Sequence, residues 1–434
     1  PKRANRPTAG YTHYRYDNRD LVRETIDSTG AVVRAEHDEL GRRVATTDVV
    51  RQDNAEYTTT FEFGDHGDVL AVTDPTGVTA RYEYDGIGRP TRAQNALGAT
   101  VTAYRRDGWD VVETDPAGRV SRARANLAGE VVEQERLGSD GAVATRVTTT
   151  YDAAGNPVTV AAPVTVGGPD QVRQISLYDA ANRVSATVDL TSSSSAVTWF
   201  GYDAAGNRTR VTDANGNATT YRYNPWNLLA SEREPTTTQF PNDADRLTSL
   251  VYDSRGLTKT VARPGGVTDS MTYNALGNLV GQTSSGGGAA SVSKSFAYDE
   301  AGRMLTAAQP NGTQSFAYDD RGLLRSSGGP NAVSFTYDAA GRPVTRTDGA
   351  GVSRWTYSVG AAGSGLPATA TDPVTNVARS FDYYPTGEPR RVTFGATGTT
   401  RDYTWDGAGR LATDSLVRGG APVREAAQSY DPTG

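Results

Sequence analysis

The sequence predicts an all-β chain: one continuous antiparallel meander of short hairpins, with almost no helix. Three observations predict it. Asp-x-x-Gly, the signature of a type I turn closed by a left-handed glycine, occurs 15 times in 434 residues, where composition alone would give about four. Between these turns lie stretches such as Thr209-Arg210-Val211-Thr212 and Thr219-Thr220-Tyr221-Arg222-Tyr223, which alternate with period two and favour β-branched and aromatic residues. Finally, only 36% of residues are apolar and 47 are glycine, too lean a composition to fill the core of an ordinary globule of this length. Yet 22 Tyr, 9 Phe and 5 Trp are too many for a disordered polymer. A thin sheet wetted on both faces satisfies all three. No segment keeps a 3.6-residue period over three helical turns.

Taken in order, the chain opens on Pro1-Lys2-Arg3, without Met and without the apolar stretch of a signal peptide. We expect a piece of a longer protein. Degenerate repeats fill residues 11–150, beginning near Tyr16, His37, Phe63, Arg106 and Ala125, with one clear copy at Tyr84-Asp85-Gly86-Ile87-Gly88. Regular repeats fill residues 151–434. Tyr-Asp-Ala-Ala-Gly stands at Tyr151–Gly155, Tyr202–Gly206 and Tyr337–Gly341, and related strings begin at Tyr178, Tyr223, Tyr252, Tyr273, Tyr298, Tyr318, Trp405 and Tyr430. From Tyr151 to Tyr337 the steps run between 19 and 29 residues. The whole chain therefore reads as one repeat array rather than several domains.

Each repeat has a chemistry that can be stated in advance. The turn Asp accepts backbone N–H bonds two residues on, and the Gly takes positive φ without a Cβ clash. Such a turn is a three-residue hairpin loop with a glycine bulge. The residues expected to build it are Tyr84, Asp85, Gly88, Tyr151, Asp152, Gly155, Tyr202, Asp203, Gly206, Tyr298, Asp299, Gly302, Tyr337, Asp338 and Gly341. A second Asp turn often follows about ten residues later, as Asp213–Gly216 follows Asp203–Gly206. An Arg recurs after the turn Gly (Arg42, Arg89, Arg119, Arg303, Arg342, Arg410), placed to pair with turn aspartates or stack on Tyr. Aromatics two apart, as in Tyr221/Tyr223 and Phe335/Tyr337, share a face and would line up into aromatic ladders. A sugar-stacking platform is the alternative use of the same rings. Ser-, Thr-, Gly- or Pro-rich interruptions at Thr191–Ser195, Glu234–Asp245, Ser284–Ser291 and Val359–Pro367 read as loops on one rim of the sheet.

Several function classes drop out. A net charge of −6 with no basic run argues against nucleic acid. No apolar run approaches the ~18 residues of a membrane span. Without cysteine there is no disulfide, thiolate metal site or cysteine nucleophile. The three histidines, His13, His37 and His66, follow the repeat step, and His37 fills a Tyr slot, although a metal or base role is the alternative. Asp213–Asn217 has the look of a calcium loop but lacks its closing Glu, so we read a turn. There is no P-loop and no Gly-x-Ser-x-Gly elbow. We assign no catalytic, cofactor-binding or metal-binding residue.

Tyr298-Asp299-Glu300-Ala301-Gly302-Arg303 and Tyr202-Asp203-Ala204-Ala205-Gly206-Asn207, reiterated every twenty-odd residues, resemble the YD-repeat or Rhs-repeat family. The resemblance implies a β-strip spiralling into a hollow shell, as in bacterial Rhs toxins, Tc toxin cocoon components, wall-associated proteins and teneurins. In the toxin members the shell encloses a variable C-terminal effector and carries an Asp-Pro-x-Gly-Leu self-cleavage motif. Asp431-Pro432-Thr433-Gly434 matches its first four positions, but Asp74–Gly77 has the same letters as a plain turn, and we read Asp431 the same way. The implied function is a non-enzymatic container, secreted or at the cell surface, whose partners are its own C-terminal effector domain and flanking shell segments. The rival is a wall-associated adhesion module contacting glycan or a protein, including a delivery-machine component. A β-structured hydrolase is the third reading, without a motif behind it.

Overall fold

The structure, a computed structural model, describes residues 11–94, 101–107, 110–163, 168–191, 194–358, 365–395 and 397–430. It is a single sheet of 37 strands, numbered in chain order from β1 (His13–Tyr16) to β37 (Ala421–Ala427), in which each strand pairs antiparallel with the next. Strands run from 4 to 10 residues. Helical structure among the described residues amounts to the 3-10 turns Asp243–Asp245 and Pro264–Gly266. The expected meander is present.

The bulge falls where the turn chemistry puts it. The register shifts immediately before the repeat tyrosine, between Thr150 and Tyr151, Gly201 and Tyr202, Ala297 and Tyr298, and Thr336 and Tyr337. Each extra residue sharpens the local twist and coils the strip.

Burial matches a single layer. The buried apolar residues among those described are alanines and valines, such as Val50, Ala71, Val112 and Ala186, together with Pro163. The surface is 25291 Å², against about 16,000 Å² for a compact globule of this mass. The difference comes from a sheet that meets solvent on both faces.

The meander gives the strip two distinct rims. Connections after odd-numbered strands carry the Tyr-Asp turns, including those at Asp85, Asp152, Asp203, Asp299 and Asp338; we call this the tyrosine rim. Connections after even-numbered strands form a variable rim, with loops from the tight Pro310-Asn311 turn to the long Glu234–Arg246 connection. The interruptions at Thr191–Ser195, Glu234–Asp245 and Ser284–Ser291 lie on the variable rim as expected. Two corrections apply. The stretch Val359–Pro367 joins two strands, Gly351–Tyr357 and Pro367–Thr371, at the tyrosine rim, where it replaces a Tyr-Asp turn; residues 359–364 lie outside those described. Ser284–Ser291 is mostly strand, because three glycines at positive φ, Gly286, Gly287 and Gly288, close it as a tight turn between Leu279–Gly286 and Ala289–Tyr298.

The strip winds into a spiral. Arg51, between β4 (Arg43–Val50) and β5 (Ala55–Phe63), meets Asp320, 269 residues later, between β27 (Gly312–Tyr318) and β28 (Leu324–Gly328). Arg119, between β10 (Asp110–Thr114) and β11 (Val120–Ala125), meets Glu388, again 269 residues on, between β33 (Ala378–Tyr383) and β34 (Pro389–Phe394). Arg136 in β12 (Val131–Leu137) meets Ala408 between β35 (Thr399–Trp405) and β36 (Leu411–Arg418), at a separation of 272 residues. The three pairings agree on one spiral turn of 23 strands. Stacking sets the variable rim of the first turn against the tyrosine rim of the second, and because 23 is odd the opposing hairpin tips stand tip to tip. At about 4.8 Å per strand the circumference is roughly 110 Å and the diameter about 35 Å. The sheet does not close into a barrel: β1 and β37 are not partners, and the rims meet through side chains and turns instead of strand pairing.

Candidate functional site

Asp203 shows how one turn is built. Its Oδ1 accepts the backbone N–H of Ala205 at 3.0 Å and of Asn207 at 2.9 Å, and its Oδ2 accepts the Asn207 side-chain amide at 3.0 Å. The Asp203 N–H donates to the Asn207 carbonyl, and the Gly206 N–H to the Asp203 carbonyl. Gly206 sits at φ +89°, a region that costs most L-residues dearly. The same bonding recurs at Asp85–Gly88, Asp152–Gly155 and Asp299–Gly302, with Gly φ near +80°. At Asp338–Gly341 the carboxylate takes the Arg342 N–H and guanidinium. Asn126, Asn224 and Asn274 replace Asp with the same two backbone bonds to their amide oxygen. The sequence pointed to the first of these bonds; the second, to the residue after the Gly, follows from a geometry that aims both N–H groups at one oxygen.

These contacts depress the carboxylates of Asp85, Asp152, Asp203 and Asp213 below the usual aspartate range. For Asp152, Asp203 and Asp213 the amide of the Asn after the Gly is the main cause, and for Asp85 it is the Arg89 N–H. Asp213, weighed above as a calcium loop, spends both carboxylate oxygens on Asn215 and Asn217 within its own turn.

The tyrosine links one repeat to the previous one. Its hydroxyl donates to the carbonyl of a residue just past the preceding tyrosine-rim turn: Tyr151 to Val131, Tyr202 to Val184, Tyr337 to Leu324. Tyr84 is pushed up in pKa by burial. The Arg after the turn Gly, or after Asn182 in the same slot, links to the next repeat. Arg183 holds Asp179 at 2.8 Å, donates to the Asp203 carbonyl at 3.1 Å, and lies 4.6 Å over the Tyr202 ring. Arg303 does the same with Asp299, the Asp319 carbonyl and Tyr318. Arg therefore pairs with the turn Asp and stacks on Tyr at once. This corrects the expected aromatic ladder: among the described residues the stacking partner between repeats is a guanidinium, and the ring-on-ring contact, Phe335 with Tyr337 at 6.3 Å, lies within a pair. The same guanidinium that covers the ring also satisfies two oxygens, a combination a second ring cannot supply. His37 occupies the Tyr slot before Asp38 and closes β3 (Val32–His37). Among the described residues no three His, Asp or Glu side chains group as a metal site. Asp431–Gly434 lies outside the described residues.

Where the rims meet, the same turns acquire a further role. The Asp320 carboxylate, 4% exposed, accepts from the Arg51 backbone N–H, Nε and Nη2 at 2.6–2.8 Å and from the Gln52 amide at 3.1 Å. Burial alone would raise its pKa, but these bonds outweigh it and hold Asp320 at about 2. Arg321 lies 4.3 Å over the Tyr57 ring. Arg119 bridges the Asp115 of its own turn and Glu388 of the next, both at 2.6 Å. A Cβ on Gly407 would lie 3.0 Å from the Gly138 Cα, so the two backbones touch. A cleft of about 600 Å³ follows this seam, and its charged lining includes Arg122 and Glu135, already paired at 3.3 Å. Sequence reasoning did not find the seam. Its signals were departures from the repeat: a second Asp at 320 behind Asp319, and Glu388 where the Arg or Asn after the turn Gly belongs.

The RHS Repeat family model matches residues 65–100, 202–239, 252–290 and 318–354. No curated protein sequence matches the chain. Among solved structures, TcdB2-TccC3-Cdc42 superposes over 92% of this chain and 24% of its own, with TM-score 0.71 and 15% identity. TcdB2-TccC3 without its hypervariable C-terminal region superposes over 95% of this chain and 26% of its own, with TM-score 0.70 and 14% identity. The Photorhabdus luminescens Tc holotoxin pore does so over 95% and 27%, with TM-score 0.57 and 13% identity. The chain thus spans about a quarter of the length of the solved relatives it matches. At such identities the likeness is one of fold, and it agrees with the coiled strip and repeat turns described above. The chain thus carries RHS repeats over those four stretches and shares the fold of these solved structures.

Proposed function

We propose that this chain is a wall segment of a shell that encloses a C-terminal effector domain and is exported with it, and that the wall itself catalyses nothing. The observation that carries the reading is the spiral turn of 23 strands, sealed rim to rim. With a wall one sheet thick and a diameter of about 35 Å, a bore remains after side chains on the inner face are allowed for. Confinement needs a continuous barrier rather than specific contacts, so a strip held together by its own turns is sufficient. The similar structures, one named as lacking a hypervariable C-terminal region and another as a Tc holotoxin pore, lend support. No helix among the described residues is long and apolar enough to cross a membrane. The glycan-platform reading gains nothing in particular: Tyr221, Phe335 and Tyr337 are half-buried, and the Tyr337 hydroxyl is already bonded to Leu324.

Limited proteolysis of the full gene product tests the proposal. The segment following the strip should resist cleavage while the wall is intact, and become sensitive when Arg51→Ala and Arg119→Ala open the seam. A following segment cut equally fast in both would sink the reading.

A further inference from the structure

Four hairpin tips meet at one point of the seam. From the first spiral turn come Asp115–Arg119 and Gly138–Ala142, and from the second Tyr384–Glu388 and Asp406–Arg410. They face each other in pairs: Arg119 reaches Glu388 at 2.6 Å, and the Gly138 and Gly407 backbones touch. Neighbouring tips on one rim are two strands apart, about 10 Å. A notch between the first-turn tips therefore faces a notch between the second-turn tips. Cavities occupy this corner on both faces of the sheet. The 600 Å³ cleft lies over Glu113, Ser121, Arg136 and Thr145, which stand opposite one another on successive strands and so share a face. Thr145 is six residues from Tyr151 on one strand, which makes this the tyrosine face. A second cavity, of about 240 Å³, shares Glu113, Ser121 and Arg136 with the cleft and continues to Arg119, Glu388 and Gly407. A third, of about 220 Å³, shares Arg119, Glu388 and Gly407 with the second and reaches Thr404. The Thr404 hydroxyl meets that of Thr413 at 2.6 Å on the face opposite Tyr403 and Trp405.

We propose that this four-tip junction is a portal through the wall for water, protons and small inorganic ions, latched by the Arg119–Glu388 pair. The inference rests on the shell reading and adds to it a wall that retains polypeptide but not salt. A continuous strip keeps one face inward in both turns of the spiral, so the three cavities run from one side of the wall to the other. Between the last two stand the Arg119–Glu388 pair and Gly407. No strand pairing crosses the rims here, and one ion pair can swing aside where a backbone ladder could not. Each smaller cavity has room for several waters. Charges of both signs line the way: Glu113 has no ion pair among the described residues, and Arg136 donates to the Ala408 carbonyl at a long 3.4 Å. At the junction of Arg51 with Asp320 the seam is filled instead, by Arg321 lying 4.3 Å over the Tyr57 ring. Counter-ions crossing at the portal would offset the self-repulsion of a charged chain held in a small bore. The chain itself could follow only by parting the tips at Gly138 and Gly407.

The chain has no cysteine, so Ser121→Cys and Thr404→Cys place one thiol on each face beside the junction. The full gene product, with the unsubstituted protein as blank, is treated with a small charged methanethiosulfonate and separately with a maleimide on a long polyethylene glycol. The outward thiol should take both reagents, and the bore thiol the small one alone. Arg119→Ala and, with less disturbance to packing, Glu388→Gln should speed small-reagent labelling of the bore thiol about tenfold, the scale of one charge-assisted hydrogen bond. Neither should admit the polymer, and Arg119→Lys should restore the parent rate. A bore thiol that refuses the small reagent in every variant, or takes it at one rate with and without the latch, would overturn the portal and leave the shell standing. Entry of the polymer in the latch variants would also overturn it, making Arg119 a clasp of the whole seam. Polymer on both thiols of the parent would sink the shell reading and the portal with it.

Discussion

At Gly206 the backbone stands at φ +89° and nothing lies within 4 Å of where a Cβ would project. Substitution there isolates the conformational term. Gly206→Ala is expected to destabilise the repeat by about 1–2 kcal/mol, read as faster hydrogen exchange in the two flanking strands. Gly206→Asn should do much less, because Asn182 and Asn227 hold the same slot at φ +57° and +60°. The Asp beside it sets a pH dependence. Asp85, Asp152 and Asp203 are depressed below the ordinary value of 3.8. A depressed carboxylate stabilises the fold above its unfolded pKa and loses that contribution as pH falls through the folded one. The melting temperature should therefore be flat from neutral pH to about 5 and drop below about 4; a strip that gains stability in acid would contradict the turn chemistry. These roles were legible in Asp, Gly and their spacing because they are local, made within five residues.

Strand pairs add what one turn does not have, a link to the neighbouring repeat. Tyr202→Phe keeps the ring under Arg183 and removes only the hydroxyl bond to Val184 at 2.8 Å. The expected loss is about 0.5–1.5 kcal/mol, confined to the strands Val184–Leu190 and Ser195–Tyr202, since stability in repeat arrays is largely a nearest-neighbour sum. Uniform loss of exchange protection along the whole chain would count against it. At this scale the sequence was half legible. Period-two alternation placed the strands, and Tyr and Arg were recognised as partners. That Arg would reach forward to the Asp203 carbonyl and the Tyr202 ring together depends on the side-by-side placing of successive tyrosine-rim turns, which spacing along the chain does not specify.

Over the whole molecule the seam decides the shape. Arg51→Ala leaves the Asp320 carboxylate, 4% exposed, without its main partner; with Arg119→Ala it should raise the radius of gyration measured by X-ray scattering. Unchanged dimensions in the double variant would mean that the winding does not need these contacts. Since Asp320 is held at about 2, its share of the seam is full above 3.8 and disappears between 3.8 and 2. The wound form should then persist at pH 5 and loosen only in strong acid. Gly407→Ala offers a gentler probe, pressing a methyl group to 3.0 Å from the Gly138 Cα. The resemblance implied the winding, but the seam that fixes it was not legible beforehand. Contacts 269 residues apart depend on small increments of coil summed over 23 strands, and only the odd residues Asp320 and Glu388 hinted at them.

The odd strand count has a consequence for how such walls can differ in calibre. One strand more or fewer per turn would slide each tip sideways by one strand and set it over the gap between two opposing hairpins. Only steps of a whole hairpin keep the opposing tips aligned, and each adds two strand spacings to the circumference. The bore of this architecture is therefore available in increments of about 3 Å, a graded series of gauges rather than a continuum.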